Sequence, residues 1–187
     1  MNKQAKWVIG LMIALGAAHG HAVNLVSNGS FEDPLSDWTF DFAPAGSQFG
    51  VTSNEAFSGN RSFVFSASAM QHDAISQSLP TTAGTTYTIS LWVKNIDFRS
   101  DSLQLGWENS IALDLTPLTG PLESWQKLSV NALATTSGSV LSIRGFDGPG
   151  NIFVDDVRVE AVPEPGTMTA LGLGAIALLR RGARRTN

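Results

Sequence analysis

The chain has 187 residues and no cysteine, and its 16 Asp and Glu outnumber its 12 Lys and Arg. The lack of cysteine excludes disulfides and a histidine/cysteine zinc site, so a hydrophobic core must stabilise any exported domain. Half of the basic residues lie at the two ends of the chain, which leaves a net charge near −9 between Val23 and Val162. This acidity argues against nucleic acid and anionic membranes as partners and is compatible with bound divalent cations.

Residues 1–22 have the charged, apolar and small-residue order of a secretory signal peptide. Two lysines precede an apolar run from Trp7 to Ala18. This run is short for a membrane span, which needs about 20 residues. We predict cleavage near Ala22, with Ala18 as the alternative, and therefore export of the protein.

The stretch from Val23 to Val162 alternates between apolar and polar residues in several places, as β-strands do. In TYTISLWVK, every second residue from Tyr87 to Val93 is apolar and large, whereas Trp92 lies among the polar residues. The other stretches that resemble strands are RSFVFSAS, LQLGWE, SVLSIRG and NIFVDDVRVE. Short strands separated by glycine-rich turns, with no helical pattern between them, predict an all-β fold, an antiparallel β-sandwich.

The C-terminal residues 163–187 combine three features. Pro163 and Pro165 flank Glu164 and keep the chain extended there. An apolar run from Gly166 to Leu179 follows, which we predict to form a short hydrophobic helix that spans a thin membrane. An arginine cluster then predicts a cytoplasmic end, and its members are Arg180, Arg181, Arg184 and Arg185.

This tail resembles a PEP-CTERM sorting signal. The resemblance implies that an exosortase recognises the motif Pro163, Glu164 and Pro165 and removes the tail. It also implies that the C-terminal helix holds the exported protein in the inner membrane for a time. The mature protein would then reach the cell surface or the extracellular matrix of a bacterium that makes exopolysaccharide.

Three segments of the central stretch resemble carbohydrate-binding modules of the galactose-binding-like jelly-roll type. These segments are NLVSNGSFEDPLSDWTF, SLPTTAGTTYTISLWVKN and NIFVDDVRVE, and they occur in the family's order. The resemblance implies one jelly-roll domain over residues 23–162, between the signal peptide and the sorting tail.

The final predicted strand carries two neighbouring aspartates. Simple alternation places Asp155 on the apolar face with Phe153 and Val157. A buried carboxylate needs hydrogen bonds, a cation or a proton as compensation. A β-bulge at this pair would change whether Asp155 or Asp156 points inward.

The jelly-roll resemblance also implies a structural calcium ion where the N-terminal strand meets the last strand. Carried over to this chain, its carboxylate ligands are Glu32 and either Asp155 or Asp156. Calcium prefers such oxygen ligands, so the site needs neither histidine nor cysteine. The alternative is a hydrogen-bonded N-terminal turn without a metal.

Candidate sugar-binding residues are an aromatic side chain and polar neighbours that hydrogen-bond hydroxyl groups. We predict Trp92, which lies on the polar face of its strand, together with Asn95. Arg144 shares a face with Ser142 and Phe146 and is a further candidate. The alternatives are that Trp92 packs against a neighbouring strand or loop and that Arg144 is merely solvated.

These observations predict a non-enzymatic surface or matrix protein that binds or organises extracellular polysaccharide. We predict no catalytic residue, because His72 is the one histidine between Val23 and Val162 and no serine-hydrolase elbow accompanies it. His72 is expected to be an exposed loop residue. Two alternatives remain: a structural or interaction protein without a sugar site, and a polysaccharide hydrolase with two convergent carboxylates.

Overall fold

The computed structural model describes residues 22–34, 36–42, 48–66, 72–95, 101–118, 122–146 and 150–163. The predicted signal peptide, apart from Ala22, and the tail from Glu164 onward lie outside the described residues. Within the described ranges, no helix has the length and apolarity required to cross a membrane.

The described part of the chain consists of strands, turns and extended segments. The strands are β1 Thr39–Phe42, β2 Gln48–Thr52, β3 Ser62–Ser66, β4 Asp73–Ser78, β5 Thr86–Asn95, β6 Asp101–Trp107, β7 Ser110–Leu118, β8 Leu122–Leu133, β9 Val140–Phe146 and β10 Ile152–Ala161. Alternation had identified β3, β5, β6, β9 and β10, and it had not singled out the other five.

The strands form two antiparallel sheets of five strands each. Sheet I has the order β1-β4-β9-β6-β7, and sheet II has the order β2-β3-β10-β5-β8. Every strand pair in both sheets is antiparallel, and most paired strands are distant in sequence. The predicted antiparallel β-sandwich is confirmed.

The core lies between the sheets and consists of the alternate, inward-facing side chains of both. Leu105 and Ile143 of sheet I and Ile89 and Phe65 of sheet II are each at most 1% exposed. Burying one such side chain contributes about 1.5–3 kcal/mol to stability. At Gly145 the sheets approach so closely that a Cβ atom would lie 2.3 Å from the ring of Phe65, so a side chain there would force the sheets apart.

The N-terminal segment joins the two sheets along one side of the core. Its backbone bonds to sheet II through Leu25, whose N–H donates to the carbonyl of Val159 at 2.9 Å. It also bonds to sheet I, because the Gln77 amide of β4 accepts from the Ser27 N–H at 2.9 Å and donates to the Ser27 carbonyl at 3.0 Å. The segment therefore stabilises the packing of one sheet on the other.

Alanine replacements of two leucines, one buried and one exposed, test where the core lies. Leu141→Ala should lower the free energy of unfolding by about 2–5 kcal/mol, because Leu141 is 0% exposed and its loss leaves a cavity. Leu133→Ala should change it by less than about 0.5 kcal/mol, since Leu133 is 54% exposed. Urea unfolding of both variants measures the difference, and equal losses would contradict the assignment of the inner faces.

Candidate functional site

Strand β10 contains a β-bulge at the two aspartates. Asp155 pairs with Trp92 of β5, the next pair is Arg158 with Ser90, and Asp156 has a φ of +47°. One extra residue in one strand of a pair reverses the alternation of side chains beyond it. The residues that face the core are therefore Ile152 and Val154 before the bulge and Val157 and Val159 after it.

Asp155 lies directly before the shift in register and points to the outer surface of sheet II. The expectation that Asp155 shares a face with Val157 is therefore wrong, because cross-strand partners point the same way and its partner Trp92 faces outward. Asp155 is nevertheless 0% exposed, since the loop between β2 and β3 covers it. We refer to residues 53–61 as the β2–β3 loop.

The carboxylate of Asp155 binds this loop through backbone N–H groups. Its Oδ2 accepts hydrogen bonds from Phe57 and Ser58, both at 2.8 Å, and its Oδ1 accepts one from Asp156 at 2.6 Å. Burial raises the pKa of Asp155, although the three N–H donors oppose that shift. The negative charge is thus only partly compensated by the loop.

Glu32 binds the same loop from the N-terminal segment. Its Oε1 accepts hydrogen bonds from the backbone N–H groups of Asn60 at 2.8 Å and Arg61 at 2.9 Å. Asp156 points away and forms an ion pair with Arg158 at 2.9 Å. Of the predicted metal ligands, the structure therefore brings Glu32 and Asp155 to one loop and places Asp156 elsewhere.

A metal at this loop would have to draw on backbone or water oxygens as well. The described residues contain no group of three or more His, Cys, Asp and Glu side chains that could hold a metal ion. Glu32 and Asp155 both supply carboxylate oxygen, the ligand type that a hard cation such as calcium prefers, and both bind the β2–β3 loop.

The three predicted sugar-binding residues lie in three different places. Trp92 is on the outer face of sheet II, where Phe57 stacks on it with ring centroids 3.8 Å apart and Trp125 packs against the edge of Phe57. Asn95 is 0% exposed and lies on the opposite side of β5 from Trp92. Arg144 is on the outer face of sheet I. They do not line one groove.

A groove of about 250 Å³ lies on the outer face of sheet I, beside Arg144. We call it the Arg144 groove, and its lining residues are Gln104, Gly106, Glu108, Asn109, Ser110, Ile111, Ser142 and Arg144. Arg144 pairs across the strands with Gln104, which in turn pairs with Asp114. The Gln104 amide donates to Asp114 at 3.3 Å, while the Arg144 guanidinium forms no hydrogen bond or ion pair with any described residue.

His72 and Phe146 lie at one end of the same face. The Nε2 atom of His72 is 2.8 Å from the Ser102 hydroxyl, and its ring centroid is 6.1 Å from that of Phe146. His72 is half-buried, so the expectation of an exposed loop residue is wrong. Burial and the nearby charge of Arg144 lower the pKa of His72, so the ring is neutral near pH 7.

Sequence reasoning missed most of this face. Gln104 and Phe146 both lie on the polar faces of strands that alternation identified. Their position on these faces was the one sequence signal that could have marked them as candidates. Asp114 lies in β7, which alternation had not singled out. Only the sheet order brings these residues beside Arg144.

Glu108 anchors the loop that borders the Arg144 groove. It lies between β6 and β7 with a φ of +54°, and its carboxylate accepts hydrogen bonds from Thr135, Thr136 and Ser139 of the β8–β9 turn. These bonds, that from the Thr135 hydroxyl above all, lower the pKa of Glu108 to about 2. Glu108 is therefore an ionised acceptor that positions the turn.

The sequence of the domain matches a family model described as a carbohydrate binding domain over residues 23–131. The chain belongs to this carbohydrate-binding domain family. A second model, the PEP-CTERM protein-sorting motif, matches residues 161–185. Both family resemblances noted in the sequence are thereby confirmed.

Several solved structures with a similar fold are carbohydrate-binding modules. TmCBM61 in complex with β-1,4-galactotriose is 17% identical with a TM-score of 0.57, covering 75% of this chain and all of that one. The CBM22-1 xylan-binding domain of Paenibacillus barcinonensis Xyn10C is 20% identical with a TM-score of 0.55, covering 76% of this chain and 97% of that one. Family 16 Carbohydrate Binding Module-2 is 18% identical with a TM-score of 0.54, covering 73% of this chain and 99% of that one. At these identities the likeness establishes the jelly-roll fold, and no curated protein matches the chain.

Glu108 should make the stability depend on pH. Its pKa is lower in the folded state, so its stabilising effect is complete above the ordinary glutamate pKa of 4.5 and is lost as the pH falls towards about 2. We expect Glu108→Gln to be less stable than the parent near pH 6, and the difference to shrink as the pH falls through this window. Urea unfolding at a series of pH values measures it, and a constant difference would contradict this role.

Proposed function

We propose that the protein is an exported, non-catalytic surface protein that binds extracellular polysaccharide in the Arg144 groove. The observation that carries the proposal is the exposed guanidinium of Arg144, which begins a polar cross-strand row with Gln104 and Asp114 and has no hydrogen-bond or ion-pair partner among the described residues. A guanidinium presents several N–H donors in fixed directions, which suits pairs of sugar hydroxyls or a carboxylate on the polymer.

The shape of this face suits a chain of sugars. Outward-facing residues of β9 run from Phe146 through Arg144 and Ser142 to Val140. The six steps from Val140 to Phe146 span about 20 Å at about 3.3 Å per residue, which is long enough for several linked sugars. Phe146 can contact the apolar face of a ring, and Gln104 and Asp114 can bond to hydroxyl groups beside Arg144. Membership of the carbohydrate-binding domain family supports the same assignment.

The sorting motif supports a role at the cell surface. In our proposal, an exosortase recognises the segment with Pro163, Glu164 and Pro165, and the C-terminal helix holds the protein in the inner membrane only until that step. The protein would then reside at the surface or in the matrix, where exopolysaccharide is its ligand. The match to a protein-sorting motif over residues 161–185 is the support for this part.

The acidic residues near the groove favour binding over hydrolysis. A hydrolase needs one carboxylic acid that is protonated when it meets the substrate. Glu108 has a pKa of about 2 and is held by the β8–β9 turn, which makes it unsuited to donate a proton. Asp114 already accepts hydrogen bonds from Gln104 and Thr116.

We also propose that Glu32 and Asp155 hold a structural calcium ion. Both carboxylates bind the β2–β3 loop, and burial leaves the charge of Asp155 partly uncompensated. When bound, calcium would supply the missing positive charge there. The role of the ion would be structural, to stabilise the β2–β3 loop.

The first prediction concerns the ligand face. Arg144→Ala should weaken polysaccharide binding roughly ten- to hundredfold, the loss expected for a hydrogen bond from a charged group. Isothermal titration calorimetry with a polysaccharide identified on a glycan array measures the effect.

Arg158→Ala is the matched control. Arg158 is also an exposed strand arginine, but it lies on sheet II and pairs with Asp156. Its replacement should leave the affinity unchanged. Equal affinities of the parent and Arg144→Ala would overturn the proposed site, and failure to bind any glycan would favour a purely structural protein.

The second prediction concerns calcium. Calcium at about 100 times its dissociation constant should stabilise the parent by about 2.7 kcal/mol relative to EDTA, because the ion binds only the folded state. Asp155→Asn should abolish this shift, while Asp156→Asn should retain it, since Asp156 pairs with Arg158. Thermal melting in both buffers measures the shift. Identical melting of the parent in calcium and EDTA would show that the loop N–H groups alone compensate Asp155.

A further inference from the structure

A second groove lies on the opposite face of the sandwich. It has a volume of about 420 Å³, within the roughly 300–1,000 Å³ usual for ligand sites, and crosses β2, β3 and β10 on the outer face of sheet II. Val64 is half-buried and forms an apolar floor, and its cross-strand partner Phe153 lies beneath the surface at 4% exposed. Gly50 continues this floor, and a Cβ atom there would meet nothing within 4 Å. We call it the Asn151 groove.

The rim of the Asn151 groove is polar and uncharged. Asn54, Asn151 and Ser66 contribute two side-chain amides and a hydroxyl to it, and none of the described lining residues carries a charge. The side chains of these three residues form no hydrogen bond with any described residue. They are therefore available to a ligand. In a domain with a net charge near −9, an uncharged groove is a distinct surface.

One wall of the groove is held in place before any ligand arrives. Asn54 is the second residue of the β2–β3 loop, which Asp155 and Glu32 bind through backbone N–H groups. An ion pair of 2.8 Å between Glu55 and Lys94 of β5 fixes the loop next to Asn54. Preorganised groups lose little freedom on binding, so their hydrogen bonds contribute more to affinity.

We infer that the Asn151 groove is a second carbohydrate site, which takes an uncharged segment of polysaccharide. The apolar face of a sugar ring would pack over Val64 and the open backbone at Gly50, while its hydroxyls bond to the amides of Asn54 and Asn151. This inference rests on the proposed function of the protein. Because the two grooves lie on opposite faces of the sandwich, one molecule binds two polymer chains and links them.

The test counts sites in the full chain. Calorimetry uses the uncharged probes β-1,4-galactotriose, xylohexaose and cellohexaose, and we expect two sites per chain for at least one of them. The double variant Asn54→Ala with Asn151→Ala should leave one site, and so should Ser66→Trp, which fills the groove. Arg144→Ala should weaken the other site roughly ten- to hundredfold, so that it is lost from the titration at the same concentrations. Asn131→Ala is the matched control, since Asn131 is exposed on sheet II but bonds to Thr88, and it should keep both sites.

Cross-linking gives an independent measure. The parent should sediment soluble xylan or another polymer of the bound sugar, and each single-groove variant should lose most of this sedimentation while still binding the polymer. If calorimetry finds a single site and only Arg144→Ala abolishes it, the Asn151 groove is not a carbohydrate site, and the proposed function of the Arg144 groove stands. If calorimetry finds a single site and only the double variant of Asn54 and Asn151 abolishes it, the Arg144 groove does not bind polysaccharide. The linking of two polymer chains is then also contradicted. No binding of any probe overturns both.

Discussion

The bulge in β10 is the constraint on which the other features depend. This strand lies in the middle of sheet II, so its inner face must be apolar along its whole length. Without the extra residue, Val157 and Val159 would point outward, because alternation has a period of two. The bulge returns both valines to the core and leaves Asp155 on the outer face. The β2–β3 loop covers Asp155 on that outer face and binds its carboxylate.

The β2–β3 loop also explains why the ring of Trp92 is not accessible for stacking on a sugar. Asp155 binds the N–H groups of Phe57 and Ser58, and this brings the Phe57 ring over the indole. The aromatic surface of Trp92 is therefore used for packing, and the ring stabilises the loop. The same loop places Asn54 at the rim of a groove, so one carboxylate supports both the covering of Trp92 and the wall beside it.

The two outer faces differ in chemistry although both belong to one sandwich. The face of sheet I carries Arg144, Asp114 and His72, whereas the groove on sheet II is lined by amides, hydroxyls and apolar groups. Inner-face residues are committed to the core, whereas exposed outer positions that hold no loop can vary at little cost to the fold. A jelly-roll of this kind can thus present separate ligand chemistry on each side.

Much of the architecture was determined by the sequence by itself. The alternation in β5 and β6 predicted the inner faces correctly, and the segments around Phe31 and Val154 predicted the jelly-roll family. The C-terminal motif predicted the sorting signal. Only the tertiary structure decided which polar residues share a surface, because Arg144, Gln104 and Asp114 lie on three strands whose order no local pattern encodes. It also decided the direction of Asp155, since a bulge changes the phase of alternation without a change in composition. Asn95 and Trp92 are close in sequence and lie on opposite sides of one strand, because adjacent positions of differing parity point to opposite faces of a sheet.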